Sequence, residues 1–378
     1  MNLATIETAN DHRLAVLQAG PLVCVVGAGL AGLASALAAA QCGLRVELFA
    51  AEPEVSDIDV HVDIVPSMLR DLVAIGMADE VVRAGFAYRR ARFMAADGVA
   101  LFAIEPRRLA GERYPAAVGI ARHAVHRLLG AACEAAGVHF HWHAHVNAVR
   151  PTPCGACIHL QDTQVDAQLV VLACGALSRL RTDVLQVHTP LGTTGWTYLV
   201  ARRPISIDEP VYALADDGRK AHAVPISARH LGLSINDLDA SLAPQGLRAQ
   251  LSQLPGALAE LAVLPHSVPT GRSVAFGLTE PRDADAAIVA VGECACALPP
   301  HLGYAAAQAI EDAVVLKHVL QHVDVRAVAR VFHERRHARR RQVLDLTARA
   351  ARWDLAPEAQ TDLRLLSEAL ADLHQQPA

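Results

Sequence analysis

Three glycines at a fixed spacing are the residues of this chain best placed to do chemistry. Gly27-Ala28-Gly29-Leu30-Ala31-Gly32 follows the apolar run Leu22 to Val26 and precedes an alanine-rich stretch, Leu33 to Gln41. A strand that runs through a glycine turn into a helix presents backbone N–H groups, and the positive end of the helix, to an anion. The first glycine allows the tight turn, the second lets the backbone approach a pyrophosphate, and the third lets helix and strand pack closely. Leu30 and Ala31, between the glycines, share that cradle. The chemistry is therefore dinucleotide binding. The motif alone is weak, but here Gly43 stops the helix and Arg45 to Phe49 reads as the next parallel strand, which completes a βαβ unit. A carboxylate usually ends that second strand and takes the ribose hydroxyls. Ala50 holds that place and Glu52 follows two residues later, so either Glu52 reaches back or the adenosine is held less tightly.

Three later segments extend the pattern. Ile120-Ala121-Arg122-His123 opens a predicted helix. Leu172-Ala173-Cys174-Gly175-Ala176-Leu177-Ser178-Arg179-Leu180-Arg181 follows a buried-strand run. Gly292-Glu293-Cys294-Ala295-Cys296 continues through Pro300 and Gly303 to Glu311-Asp312-Ala313. With the glycine loop, these segments resemble the single-component flavoprotein aromatic hydroxylases, the p-hydroxybenzoate hydroxylase-like FAD monooxygenases, over nearly the whole chain. The resemblance implies an arginine near the flavin phosphate and ribityl chain at Arg122. It implies a segment linked to FAD and the nicotinamide cofactor at Gly175, and an acceptor for the ribityl hydroxyls at Glu293, beside Gly292. It also implies that Pro300, Gly303 and Tyr304 lie by the flavin ring. The family's aspartate before Gly175 is Cys174 here, its histidine is Cys296, and its glutamine and glycine after Gly303 are Tyr304 and Ala305. Such a protein binds FAD, takes electrons from NAD(P)H, and transfers one atom of dioxygen to an activated ring. The flavin performs the redox step, so no side-chain nucleophile is required.

Two other constellations carry less weight. His139, His141, His143 and His145 alternate with Phe140, Trp142 and Ala144, so on a strand the four imidazoles share one face. A polar sheet face explains them better than a metal, and no metal site is expected. Cys154-Gly155-Ala156-Cys157 lies among Pro151, Pro153 and Gly155, in a turn between strands rather than at the helix start a thiol redox motif needs. Trp196 and Tyr198 fall on a predicted strand, where packing outweighs a place in a substrate pocket.

These residues need elements to position them. Helical spacing covers Pro66 to Ile75 and Arg122 to Ala136, and strand patterns cover Val138 to Val149, Leu169 to Ala173 and Ala286 to Val291. Short strands at Thr197 to Ala201, His222 to Ile226 and His230 to Ile235 form a mostly-β block. A long helix spans Ala305 to Leu320, and the tail from Val325 is helical, with Arg335, Arg336, Arg339, Arg340 and Arg341 on a solvated or pairing face. The fold class is α/β: a Rossmann-like FAD-binding domain with a mostly-β substrate domain inserted and a C-terminal helix. The expected division is 21–70 plus 110–190 plus 280–320 for the FAD-binding domain, 71–109 plus 191–279 for the substrate domain, and 321–378 for the C-terminal helical segment.

Bulk properties narrow the function classes. The chain has 378 residues, 52% of them hydrophobic and 19% charged, which is globular rather than disordered. A net charge of -5 lacks the basic surplus of a nucleic-acid binder. Eight cysteines in this length do not read as a secreted disulfide framework. Residues 1 to 20 read as a polar leader with no apolar signal core, and no apolar stretch is long enough to span a bilayer. The expectation is a cytoplasmic enzyme, monomer or homodimer, that takes a small aromatic substrate and binds neither nucleic acid nor membrane. Two alternatives stay open: a degenerate or weakly FAD-binding non-catalytic relative, and a flavin enzyme fed by a separate reductase, epoxidase-like or halogenase-like.

Overall fold

Strand β1 (Leu22–Val26) is apolar at every position and buried at every position, as a strand covered on both faces must be. The computed structural model describes residues 21–54, 60–95, 97–185, 193–214, 220–236, 248–249, 251–263, 272–274, 277–278, 287–298, 303–355 and 363–376. β1 pairs in parallel with β2 (Arg45–Phe49) and with β12 (Leu169–Leu172). With β8 (His139–His141) and β19 (Ile288–Ala290) they form a parallel sheet in the order β19-β12-β1-β2-β8. Helix α1 (Leu30–Gln41) begins one turn earlier than its alanine-rich stretch and is buried from Leu30 through Ala39. Its small side chains let it lie between the sheet and a second long helix.

The strand predicted over Val138 to Val149 is shorter in the structure. β8 ends at His141, and His143 takes a positive φ of 56°. The cause is the partner strand: β2 ends at Phe49, so the ladder has nothing to continue on. The chain instead bends back, with the N–H of His143 donating to Glu52 O and that of Ala144 to Ala50 O. The four histidines therefore do not share a face. His141 stacks on Phe49 at 4.5 Å and meets Glu47 at 3.2 Å. β9 (Ala148–Thr152) starts a separate antiparallel sheet with β10 (Gly155–His159) and β11 (Gln164–Ala167), and Cys154 lies in the β9–β10 turn.

The second layer is strand-rich. β5 (Ala91–Met94), β6 (Ala100–Ile104), β13 (Thr193–Arg202), β14 (Val211–Leu214), β15 (Lys220–Pro225), β16 (His230–Asn236) and β17 (Arg272–Val274) form a sheet in the order β17-β13-β16-β15-β14-β5-β6. A smaller sheet, β3 (His61–Ile64), β7 (Ala117–Ala121) and β4 (Phe86–Tyr88), lies against it. Two glycines permit that contact: a Cβ on Gly119 would fall 2.1 Å from Pro225 O, and one on Gly232 would fall 2.3 Å from the His61 side chain. A two-stranded ladder of β18 (Gly277–Leu278) and β20 (Cys296–Ala297) completes the strands described.

Helices α2 (Pro66–Ala74), α3 (Ala78–Ala84), α4 (Arg122–Ala135) and α5 (Arg179–Leu185) are followed by three C-terminal helices, α6 (Ala305–His322), α7 (Val328–Leu355) and α8 (Leu363–Gln375). The arginine-rich stretch divides by helical spacing. Arg335 and Arg341 face outward, while Arg336, Arg339 and Arg340 are buried. Arg336 grips Glu311 at 2.6 Å and Asp312 at 2.7 Å, Arg339 reaches Glu311, and Arg340 reaches Asp312. This is a pairing face. Burial pushes both carboxyls up, but the guanidiniums outweigh it and hold Glu311 and Asp312 below their ordinary values. No helix among the described residues is long and apolar enough to cross a membrane.

Candidate functional site

The carboxyl ends of β1, β12 and β19 open onto one cavity of about 1570 Å³. Open α/β sheets bind ligands in the crevice outside their strand ends. A pocket for one drug-sized ligand holds about 300–1,000 Å³, so this one has room for a dinucleotide and a second small molecule.

The glycine loop forms one wall, with Gly27, Gly29, Leu30 and Ala31 lining the cavity. Its glycines have separable reasons. Gly27 sits at φ 109°, and a Cβ there would meet Ala173 O at 2.5 Å; a Cβ on Gly32 would lie 1.8 Å from Gly27 O. Both are demanded by the turn itself. Gly29 has nothing within 4 Å of its would-be Cβ, so only a ligand gives it a reason to be small. Helix α1 has no side-chain cap and no acidic residue in its first turn, which leaves its leading N–H groups for an anion. These features fit the pyrophosphate of a dinucleotide.

The other expected contacts fall around this cradle, with exceptions. Glu52, Arg122, Gly175, Glu293 and Gly303 line the cavity. Glu293 opens onto it yet is ringed by protein, and burial raises its carboxyl while the nearby Arg122 charge opposes the rise. Gly303, at φ 62°, precedes the first turn of α6. Gly32 and Gly292 lie beneath the wall rather than on it: Gly292 donates its N–H to Asp312 at 2.7 Å and so aims Glu293. Tyr304 faces away, buried, its hydroxyl donating to Glu311 and accepting from Arg339. Pro300 and the Trp196 side chain lie outside the described residues.

The far half of the cavity was not legible in the sequence. Register places one residue from each of six strands in a single row: Phe102, Phe93, Tyr212, His222, Ser234 and Tyr198. The first four rings stack successively at 4.4, 4.6 and 3.9 Å. Opposite the row, β3 alternates polar and apolar, so His61 and Asp63 face the cavity while Val62 and Ile64 are buried in the core. Asp63 accepts a short hydrogen bond from Tyr88 and lies 4.0 Å from His222. Burial raises the Asp63 carboxyl to about 6 against the Tyr88 hydrogen bond, and lowers His61 to about 4. Burial, with His61 as neighbour, also drives His222 well down. Lys220, two residues from His222 on the same face, is lowered to about 8 by burial. Near neutral pH this cluster is therefore two neutral imidazoles, His61 and His222, the Asp63 carboxylate and a largely protonated Lys220 amine. The alternation in His61-Val62-Asp63-Ile64 was the one local signal; the six-strand row depends on pairings up to 119 residues apart.

Comparison with known proteins agrees with this geometry. Residues 22–68 match the family described as glucose inhibited division protein A. Phenazine 1,6-dicarboxylic acid hydroxylase PhzS of Lysobacter antibioticus is 32% identical over 107 residues, which is 28% of this chain but only 25% of that protein. The putative FAD-dependent monooxygenase YetM of Bacillus subtilis is 23% identical over 368 residues, covering 93% of this chain and 98% of its own. The crystal structure of Klebsiella pneumoniae HpxO complexed with FAD and uric acid shares the fold, with a TM-score of 0.73 at 20% identity and coverage of 94% and 93%. The resemblance read from the four motifs, and the α/β class with a strand-rich layer and C-terminal helices, are borne out.

Proposed function

We propose that this chain, a relative of the FAD-dependent aromatic hydroxylases, is itself an FAD-dependent monooxygenase that uses NAD(P)H and O2 to hydroxylate a small aromatic or heteroaromatic compound. The observation that carries the reading is one continuous cavity joining a dinucleotide cradle to a pocket edged by rings and polar groups. Gly27, Gly29 and the N–H groups of Leu30 and Ala31 hold the pyrophosphate, and Glu52 takes the adenosine ribose. Arg122, Gly175 and Glu293 hold the ribityl side. The flavin ring would sit by Gly303, which precedes the α6 N-terminus and its positive dipole. FAD, when bound, supplies the electron transfer and the activation of dioxygen.

The protein's own contribution is to orient the substrate and take its proton. Asp63 faces the row of ring edges beside His222, and with His61 and His222 neutral we assign it as the acceptor for a ring hydroxyl or ring N–H. Above about pH 6 Asp63 is ionised and accepts; below it the group is protonated and does not. The expected profile is kcat/KM rising with pH through about 6 and then levelling. Asp63→Asn should lower kcat/KM by ~10²-fold, the low end for general acid–base catalysis, with an unchanged flavin spectrum. A flat wild-type profile, or an unimpaired variant, would show that Asp63 takes no proton.

The reading as a whole is tested by purifying the protein, recording its visible spectrum, and measuring NADH, NADPH and oxygen consumption with a panel of phenols and hydroxylated N-heterocycles. Flavin bands with substrate-dependent oxygen uptake and a hydroxylated product are the expected result. A colourless protein that does not take up added FAD would overturn it in favour of a non-catalytic relative. Turnover with supplied reduced flavin, but none with NAD(P)H, would instead mark a reductase-fed enzyme. The reading includes a cytoplasmic setting and a monomer or homodimer, which size-exclusion chromatography distinguishes.

A further inference from the structure

Cys174 and Cys294 follow the carboxyl ends of the adjacent strands β12 and β19, and their sulfurs lie 3.4 Å apart. Cys174 is half-buried and lines the cavity, while Cys294 is enclosed behind it. Their backbones are braced. Ala173 N–H donates to Val26 O, Val291 N–H donates to Leu172 O, and the buried Arg181 donates to Cys294 O at 2.9 Å. We infer that Cys174 and Cys294 form a reversible dithiol that hydrogen peroxide arising in the cavity oxidises to a disulfide.

The chemistry follows from which sulfur is exposed and which is charged. The hydrogen bond from Cys294 lowers the Cys174 thiol to about 7 against the effect of burial, aided by Ser178 and the Arg181 charge, and the Cys294 thiol is driven up correspondingly. Thiolate, not thiol, attacks peroxide. The Cys174 thiolate breaks the O–O bond, becomes a sulfenic acid, and releases hydroxide that takes a proton to leave as water. The Cys294 sulfur then attacks the sulfenic sulfur; the S–S bond forms, the S–O bond breaks, and a second water leaves with the thiol proton. Two thiols lose two electrons and one peroxide becomes two waters. The sulfurs must close by roughly 1.4 Å from 3.4 Å to reach a bond of about 2.0 Å. The remaining described thiols are less suited. Cys24, Cys133 and Cys296 are buried and raised to about 12, Cys42 is raised by burial and donates to Lys317 O, and Cys154 is exposed with no second cysteine beside it at its turn other than buried Cys157.

Only the source of the peroxide rests on the proposed flavin chemistry, since reduced flavin that meets oxygen without a substrate yields hydrogen peroxide. The test therefore adds peroxide to the purified full-length protein, blocks free thiols by alkylation, and maps peptides without reduction. The expected result is a Cys174–Cys294 peptide pair two hydrogens lighter, formed before Cys154 oxidises and undone by dithiothreitol. In Cys294→Ala, Cys174 has lost the hydrogen bond that lowers it, so it should react more slowly and, for want of a partner, end as sulfinic acid; in Cys174→Ala, Cys294 should stay reduced. Should Cys174 remain alkylatable after Cys154 is oxidised, or reach sulfinic acid in the wild type with no cross-link, the inference is wrong. That failure leaves the flavin reading standing, and a protein that binds no flavin still reports on the thiols.

Discussion

Gly29→Ala is expected to fold with wild-type stability and to lose its flavin. The would-be Cβ meets no protein atom within 4 Å, so the fold has no reason to object. It projects instead into the cavity, where a pyrophosphate must come within hydrogen-bonding reach of the α1 N-terminus. FAD affinity should fall at least tenfold, ~1.4 kcal/mol. Gly32→Ala should behave differently, because its Cβ would lie 1.8 Å from Gly27 O. The turn must open or α1 must lift from β1, at a cost of ~1–3 kcal/mol for overpacking, and flavin binding goes with it. Thermal unfolding with and without FAD, paired with a flavin fluorescence titration, separates the two. A Gly29→Ala protein that titrates like the wild type would mean the pyrophosphate lies elsewhere.

The second large effect is expected at the far side of the same loop. Asp312 accepts from Arg336, Arg340 and the Gly292 N–H, and is fully buried. Asp312→Ala leaves two guanidiniums short of a partner and frees the turn that aims Glu293 into the cavity. Breaking one side of a buried charge pair costs ~3–5 kcal/mol, and FAD affinity should drop with it. Acid offers an independent check. Glu311 and Asp312 are held below their ordinary values of 4.5 and 3.8. Groups with depressed folded pKa values add stability that is full above the unfolded values and is lost as pH falls through the folded ones. Urea midpoints should therefore fall below about pH 4 in the wild type, and by less in Asp312→Ala, which has already lost half of the effect. Equal acid sensitivity in both proteins would remove the cluster from the explanation.

Arg336, Arg339 and Arg340 show how far local pattern reaches. Their spacing marked one helix face, but whether that face met water or carboxylates depended on where α6 packs. Tyr304 is similar: its place after Gly303 put it by the ring, yet its side chain follows the C-terminal helices into the core. Both are questions about neighbours distant in sequence, which a periodicity of 3.6 does not address.

The histidines from His139 to His145 mark the converse limit. Alternation is a property of the segment, but a strand persists only while a partner offers N–H and C=O groups, and β2 ended too soon. What the sequence by itself determined was the part built from contiguous residues: an apolar strand, a glycine turn, an alanine-rich helix and the next parallel strand, which together make the cradle. Tertiary structure alone decided the pocket beyond it. Strand register lined up Phe93, Tyr212, His222, Ser234 and Tyr198, sheet packing set Asp63 and His61 opposite them, and adjacent strand ends brought together two cysteines 120 residues apart. The physical reason is range. Backbone sterics and side-chain period act over a few residues, whereas a polar group's role is set by whichever distant elements remove its water.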